Sequence, residues 1–204
     1  MKGITLYAFP GRSRAERVSW TLDELNMDYN LIRLDLSKGE HQSPDFLKLN
    51  PSGKVPVLVH DGEAYTESLA IMEYLNSISE TKHLIPTSAK ENYIFRNRLS
   101  YGLTEIESYL WTFDQATRLK TLYSWPEGTA DDCMIQIRQN SACIDTWLAE
   151  HKYISGEEFS LADIYYYQII TWAQQYGIKF AEHTVKYLTL LESRQAFPEA
   201  LKNQ

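Results

Sequence analysis

The chain has 204 residues, room for one or two compact domains at the usual ~100 to 200 residues each. Hydrophobic residues at 44% and charged residues at 23% are ordinary globular values and exclude a disordered or collagen-like chain. Acidic residues outnumber basic ones by 27 to 20, and the net charge of -7 argues against a general nucleic-acid binder, whose phosphate contacts need a basic face.

Ile4, Leu6 and Ala8 alternate with Thr5, Tyr7 and Phe9, the period of a short strand, and Pro10-Gly11 ends it. From Ser13 onward, Ala15, Val18, Leu22 and Leu25 fall on one helical face, with Asn26 as the stop. Ile32, Leu34 and Leu36 alternate with Arg33 and Asp35 and predict a second strand. A polar stretch follows, and Pro44 opens a short helix through Leu49. Residues 55–60 and 63–66 flank Asp61-Gly62, the two-residue signal of a tight hairpin. Leu69, Ile71, Met72, Leu75 and Ile78 then mark a helix running to about Ser79. One helical crossover between parallel strands followed by an antiparallel hairpin predicts an α/β domain over residues 1–79. Its sheet is mixed and four-stranded with helices packed on it, the thioredoxin-like arrangement.

Residues 80–88 read as a linker, and residues 89–204 as an all-helical domain without strand-like alternation. Helical patterns run over 89–122, 130–150, 161–176 and 188–191, broken at Trp125-Pro126-Glu127-Gly128 and at Ser155-Gly156. Ser160-Leu161-Ala162-Asp163 has the spacing of a helix-start capping pair, a folding device. Cys133 and Cys143 lack Cys-x-x-Cys spacing and a nearby His pair, so neither a zinc site nor a redox pair is supported and no metal is expected. No apolar run approaches the ~20 residues of a membrane span, and Pro10-Gly11-Arg12 interrupts the start too early for a secretory signal. A cytoplasmic location without membrane contact is therefore expected.

With these pieces placed, the sequence resembles the cytosolic glutathione transferases over essentially its whole length, with features of the serine-type, theta- and phi-like members. Three segments carry the resemblance: Asn50-Pro51-Ser52-Gly53-Lys54-Val55-Pro56-Val57-Leu58, Thr66-Glu67-Ser68-Leu69-Ala70-Ile71, and Ser160 to Ile164. In the first, the resemblance implies a cis proline at Pro56 that exposes the backbone of Val55. A residue so held presents its N–H and C=O to an extended peptide, which suits the cysteinyl unit of glutathione. Ser68 at a helix start suits a carboxylate and Glu67 an ammonium, and the γ-glutamyl end of glutathione supplies both. Lys54 and His41 can donate to the glycyl carboxylate, and Gly39-Glu40-His41 before Pro44 is similar to the phi- and theta-like pattern in which a His does so.

Glutathione chemistry needs the thiolate, so the site must hydrogen-bond the anion or hold positive potential beside it. The candidates are Ser13 first, then Arg12, then Tyr7. Ser13 lies at a predicted helix N-terminus, which favours an adjacent anion, although helix capping also accounts for it. Counting back from Val18, the family's usual serine position falls nearer Arg12, and Tyr7 resembles the position used by tyrosine-type classes. A second substrate is expected between the domains, where Arg98, Tyr101, Glu105 and Tyr109 recur at spacings of three or four on one helix, a pattern that core packing also produces.

The resemblance implies a homodimeric transferase joining glutathione to a small electrophile, mostly apolar. A glutathione-dependent isomerase, dehalogenase or peroxidase on the same scaffold is the alternative within the fold. A non-catalytic interaction protein is the alternative from another class, and the intact Val55-Pro56 and Glu67-Ser68 segments weigh against it.

Overall fold

The computed structural model describes residues 3–11, 13–198 and 201. Two compact units divide the chain: one runs to Ile85 and resumes at Glu192, and the other spans Pro86–Leu191.

The first unit is built on a four-stranded sheet of β1 (Ile4–Ala8), β2 (Tyr29–Arg33), β3 (Val57–His60) and β4 (Glu63–Thr66), in the order β2-β1-β3-β4. Helix α1 (Ala15–Glu24) makes the crossover between the parallel pair β1 and β2, and β3 pairs antiparallel with both β1 and β4. Helix α2 (Pro44–Leu49) begins with its proline, and Ser43 caps it by accepting from Phe46 N at 3.3 Å. Helix α3 (Ser68–Ile78) packs against α1. Leu6, Val18, Leu22, Leu58, Ile71, Met72 and Leu75 are fully buried and form the core that the sequence periodicities predicted. Asp61 and Gly62 both take positive φ, 53° and 88°, as a tight hairpin turn requires, and Asn26 ends α1 at φ 53°.

The second strand lies at 29–33, ahead of the span that the Ile32–Leu34–Leu36 alternation predicted. Pairing with β1 sets its limits, since Ile4 faces Tyr29 and Ala8, the last residue of β1, faces Arg33. Leu34 adds one bond to Ala8 O at 2.8 Å, after which the Asp35 side chain turns the chain by accepting from Ser37 N, and Leu36 stands 50% exposed.

The second unit is helical: α4 (Ala89–Tyr101), α5 (Ser108–Ala116), α6 (Thr129–Glu150), α7 (Leu161–Gln175) and α8 (Glu182–Glu192). The expected helix over 89–122 is interrupted by a π-helical turn at Gly102–Glu107 and stops at Ala116. Thr117 leaves helical dihedrals there, its hydroxyl donates back to Phe113 O at 2.6 Å, and Arg118 forks onto buried Asp114 at 2.9 and 2.7 Å. Helix α8 starts earlier than its apolar pattern because Asp145 of α6 caps it, accepting from Thr184 N at 2.8 Å and Thr184 Oγ1 at 3.1 Å. Helix α7 is the buried centre of this unit. At its start Asp163 accepts from Ser160 N at 2.8 Å, Ile154 N at 2.9 Å and Tyr187 Oη at 2.7 Å. Burial pushes the Asp163 carboxyl pKa up, and these donors work against that rise. Cys133 and Cys143 both lie on α6, the first buried and the second half-buried. No helix among the described residues is long and apolar enough to cross a membrane.

Candidate functional site

Strand register gathers the candidate residues of the first unit. Tyr7 faces Val57 across β1 and β3, Val57 faces Thr66 across β3 and β4, and the next residue of β1, Ala8, faces Arg33 on β2. The exits of β1, β2 and β4 and the start of β3 therefore share one end of the sheet. The chain segments that follow Ala8, Arg33 and Thr66, and the one that precedes Val57, emerge there together. In open sheets with a parallel pair, the carboxyl ends of the strands are where ligands bind.

The segment after β1 carries Ser13. Its N–H donates to Glu16 Oε2 at 2.7 Å, its carbonyl accepts from Glu16 N at 3.2 Å, and its Oγ accepts from Ala15 N at 3.2 Å. Ser13 thus caps α1 with its oxygen while its hydroxyl proton stays available to an anion at the helix N-terminus. Arg12 lies outside the described residues. The Tyr7 ring packs at 5.8 Å from that of Phe46, within the cluster of Leu34, Phe46 and Val57.

The segment after β2 turns through Gly39 (φ 69°) into a short 3-10 turn, Glu40–Gln42, which carries His41. The His41 ring stands edge-on to Phe9 at 5.8 Å, and its buried Nδ1 has no hydrogen-bond partner among the described residues. Packed on this turn is the loop before β3. A Cβ added at Gly53 would fall 2.3 Å from Gln42 Nε2 and 3.2 Å from His41 O, and φ there is +63°, so only glycine fits. Buried Asn50 shapes the loop, giving Nδ2 to Lys54 O at 2.7 Å and accepting from Ser52 N and Oγ at 3.1 and 2.8 Å. His41 and Lys54 are therefore carried on adjoining segments. The Val55-Pro56 peptide is cis, and the Val55 amide and carbonyl have no partner among the described residues.

The segment after β4 is the start of α3. Glu67 is exposed and holds φ 66°, ψ 109°, a conformation that residues with a side chain rarely adopt and that tends to persist at ligand-binding positions. Ser68, the first residue of α3, is buried, and Arg17 Nη1 on α1 donates to its Oγ at 3.4 Å. Arg17 is itself buried, so a cation underlies a helix N-terminus that already favours a carboxylate. Sequence reasoning missed Arg17. Its signal was a second stripe on α1, Arg17, Trp20, Thr21 and Glu24, at helical spacing beside the apolar face.

In the second unit, Arg98 lays its guanidinium 3.7 Å above Trp147, and burial lowers its pKa. The Tyr101 hydroxyl donates to Asn140 O at 3.1 Å and its ring stands 5.4 Å from Trp147; burial, then a hydrogen bond with Cys143, pushes its pKa up to about 12. These two side chains are held against α6. Glu105, whose carbonyl accepts from Asn140 Nδ2 at 2.8 Å, and Tyr109 are half-buried. Among the described residues no group of His, Cys, Asp and Glu is arranged to hold a metal ion.

Comparison with known proteins adds a second line of observation. A family model for the glutathione S-transferase N-terminal domain matches residues 2–77, and one for the C-terminal domain matches residues 112–199. Glutathione S-transferase 3 of Zea mays is 33% identical over 172 residues, covering 80% of this chain and 75% of its own. Glutathione S-transferase 1 of Dianthus caryophyllus is 32% identical over 187 residues, covering 88% and 81%. A crystal structure of a glutathione transferase homologue from Sulfitobacter, with bound glutathione, shares the fold at a TM-score of 0.80 and 23% identity, covering 97% of this chain and 96% of that one.

Proposed function

The chain belongs to the glutathione S-transferase family, and from that premise we propose that it binds glutathione at the strand-end site of its first unit and activates the thiol. The substrates are small electrophiles, mostly apolar, and the enzyme works as a cytoplasmic homodimer. The observation that carries the reading is the shared register end, where Ser13, the open backbone of Val55 and the α3 start at Glu67-Ser68 emerge on neighbouring segments.

Each part of the tripeptide has a complement there. Val55 N–H and C=O pair with the cysteinyl backbone as an added strand would. Ser68 Oγ, the α3 amides and the cation of Arg17 receive the γ-glutamyl carboxylate, and Glu67 pairs the ammonium. Lys54 and His41 meet the glycyl carboxylate. The Ser13 hydroxyl then donates to the sulfur at the N-terminus of α1, which stabilises the thiolate over the thiol and releases a proton to solvent. The thiolate attacks the electrophilic carbon, and a carbon–sulfur bond forms as the leaving group departs with its electron pair or the resulting carbanion takes a proton. For the second substrate, Glu105 and Tyr109 are the first candidates, since Arg98 and Tyr101 are engaged with α6.

The test is an ultraviolet difference titration with glutathione across pH. Saturable binding with a thiolate appearing below the ionisation pH of free glutathione supports the reading, and an electrophile screen then separates transferase from isomerase, dehalogenase and peroxidase activity. Absence of binding overturns it in favour of a scaffold that meets other proteins.

A further inference from the structure

Helix α1 carries a buried stripe that is not apolar. Arg17, Trp20, Thr21 and Glu24, at i, i+3, i+4 and i+7, are all exposed by 2% or less. The stripe is tied at both ends and along its length. Arg17 reaches Ser68 Oγ, Thr21 Oγ1 donates to Arg17 O at 2.7 Å, and Trp20 Nε1 donates to Glu24 Oε1 at 3.3 Å. Glu24 in turn receives a fork from Arg194, 2.6 Å from Nε to Oε1 and 2.9 Å from Nη2 to Oε2, and a further bond from Lys82 Nζ at 2.6 Å. Phe197 closes the same contact with its ring edge-on to Trp20 at 5.1 Å. The segment from Glu192 onward thus belongs to the first unit and clamps α1 at the end opposite Ser13.

We propose that Arg194 is a positioning residue of the glutathione site, acting through α1 on Ser68. This rests on the glutathione-binding reading above. Apolar packing holds a helix against a neighbour as well as a buried ion pair does, and at lower desolvation cost, so stability alone gives a weak reason for a carboxylate here. A bidentate guanidinium adds what apolar packing lacks, a fixed axial position and rotation. Helix α1 is ten residues long, and Glu24 lies two turns from Arg17 on the same stripe, so a slip at Glu24 moves Arg17 with it. The Arg17–Ser68 contact at 3.4 Å is already at the long limit of a hydrogen bond and is broken by a small displacement.

The experiment uses the full chain with Arg194→Met, Arg194→Lys and, as a destabilised control in the second unit, Ile144→Ala. Calorimetric titration measures the affinity for glutathione and for 4-aminobutanoyl-cysteinylglycine, which is glutathione without its α-carboxylate. Arg194→Met is expected to weaken glutathione about three- to tenfold, the usual reach of a residue that does not touch the ligand, with the analogue unchanged. Arg194→Lys, which keeps the charge and loses the fork, should fall between, and Ile144→Ala should leave both affinities as they are. Arg194→Met that melts earlier but binds both ligands as the parent does overturns the proposal, as does equal weakening of both. Should Arg194→Met fail to fold, an unchanged affinity ratio in Arg194→Lys overturns it. A parent chain that binds no glutathione fails the functional reading and this proposal together, whereas an intact parent with an indifferent Arg194 fails this proposal alone.

Discussion

Ser68 and Ser13 show how a single hydroxyl serves folding and chemistry at once. Each stands at a helix start, and the two roles separate by what truncation moves. Ser68 Oγ is buried and takes a hydrogen bond from the Arg17 guanidinium, so Ser68→Ala removes a donor to the γ-glutamyl carboxylate. Losing a hydrogen bond to a charged group amounts to about 1.5 to 3 kcal/mol, roughly ten- to a hundredfold in glutathione affinity by calorimetry. Ser13→Ala acts on another quantity. The Ala15 N–H loses its cap, at about 1 kcal/mol of stability, while the thiolate loses its donor. Turnover should fall about ten- to a hundredfold with glutathione affinity nearly intact, and the apparent pKa of the bound thiol should rise in the ultraviolet titration. Tyr7→Phe, whose ring packs with Phe46, should keep both turnover and thiol ionisation, and a loss there would transfer the activating role to Tyr7.

At the scale of elements, what was legible in the sequence was whatever local chemistry dictates. Pro44 opens α2, Asp61-Gly62 makes the hairpin, Asn26 stops α1, and the residues that resemble a family motif at Val55-Pro56 do hold a cis peptide. What the sequence concealed was set by partners distant along the chain. The limits of β2 come from β1, and the start of α8 comes from Asp145 on α6. In the candidate site the same division holds. The glycine at Gly53 and the Glu67-Ser68 turn were visible as motifs, whereas Arg17 was hidden because a charged residue on a helix ordinarily faces water. The π-helical turn at Gly102–Glu107 was also hidden, and its first residue lies against the Tyr165 and Tyr166 pair on α7. A Cβ at Gly102 would lie 2.8 Å from Tyr165 Cε1 and 3.1 Å from Tyr166 Oη. Both rings are tethered, Tyr165 to Glu107 and Tyr166 to Arg98 O at 2.7 Å, so neither can yield. Gly102→Ala gains up to about 1 kcal/mol of helix propensity and loses about 1 to 3 kcal/mol to overpacking, so a net loss of stability is expected in urea unfolding. A stabilised variant would mean that the α4–α7 contact gives way.

For the whole molecule, 27 acidic residues stand against 20 basic ones, and the buried carboxylate of Glu24 takes two of those cations. Burial pushes the Glu24 pKa up, but the hydrogen bonds and charges of Arg194 and Lys82 outweigh it and hold the carboxyl below its ordinary 4.5. A depressed carboxyl in the folded state means that the unfolded chain binds the proton more readily. The contribution of Glu24 is therefore fully present above the unfolded value and is lost as pH falls through the lower folded one. Neighbouring Asp23 works in the opposite direction, its carboxyl raised by burial and by the charge of Glu24. Comparison of the parent with Glu24→Gln reads the Glu24 contribution together with the part of the Asp23 rise that the Glu24 charge causes. The variant should be destabilised at neutral pH by about 1 to 3 kcal/mol, because Arg194 and Lys82 lose their anion while both keep some contact with water. The gap between the two should narrow as urea unfolding is repeated from about pH 7 down through the carboxylate range, since a protonated Glu24 resembles the glutamine. A gap independent of pH would show that Glu24 holds the returning segment by shape rather than by charge, and that the Trp20–Phe197 ring contact is what fastens it to α1.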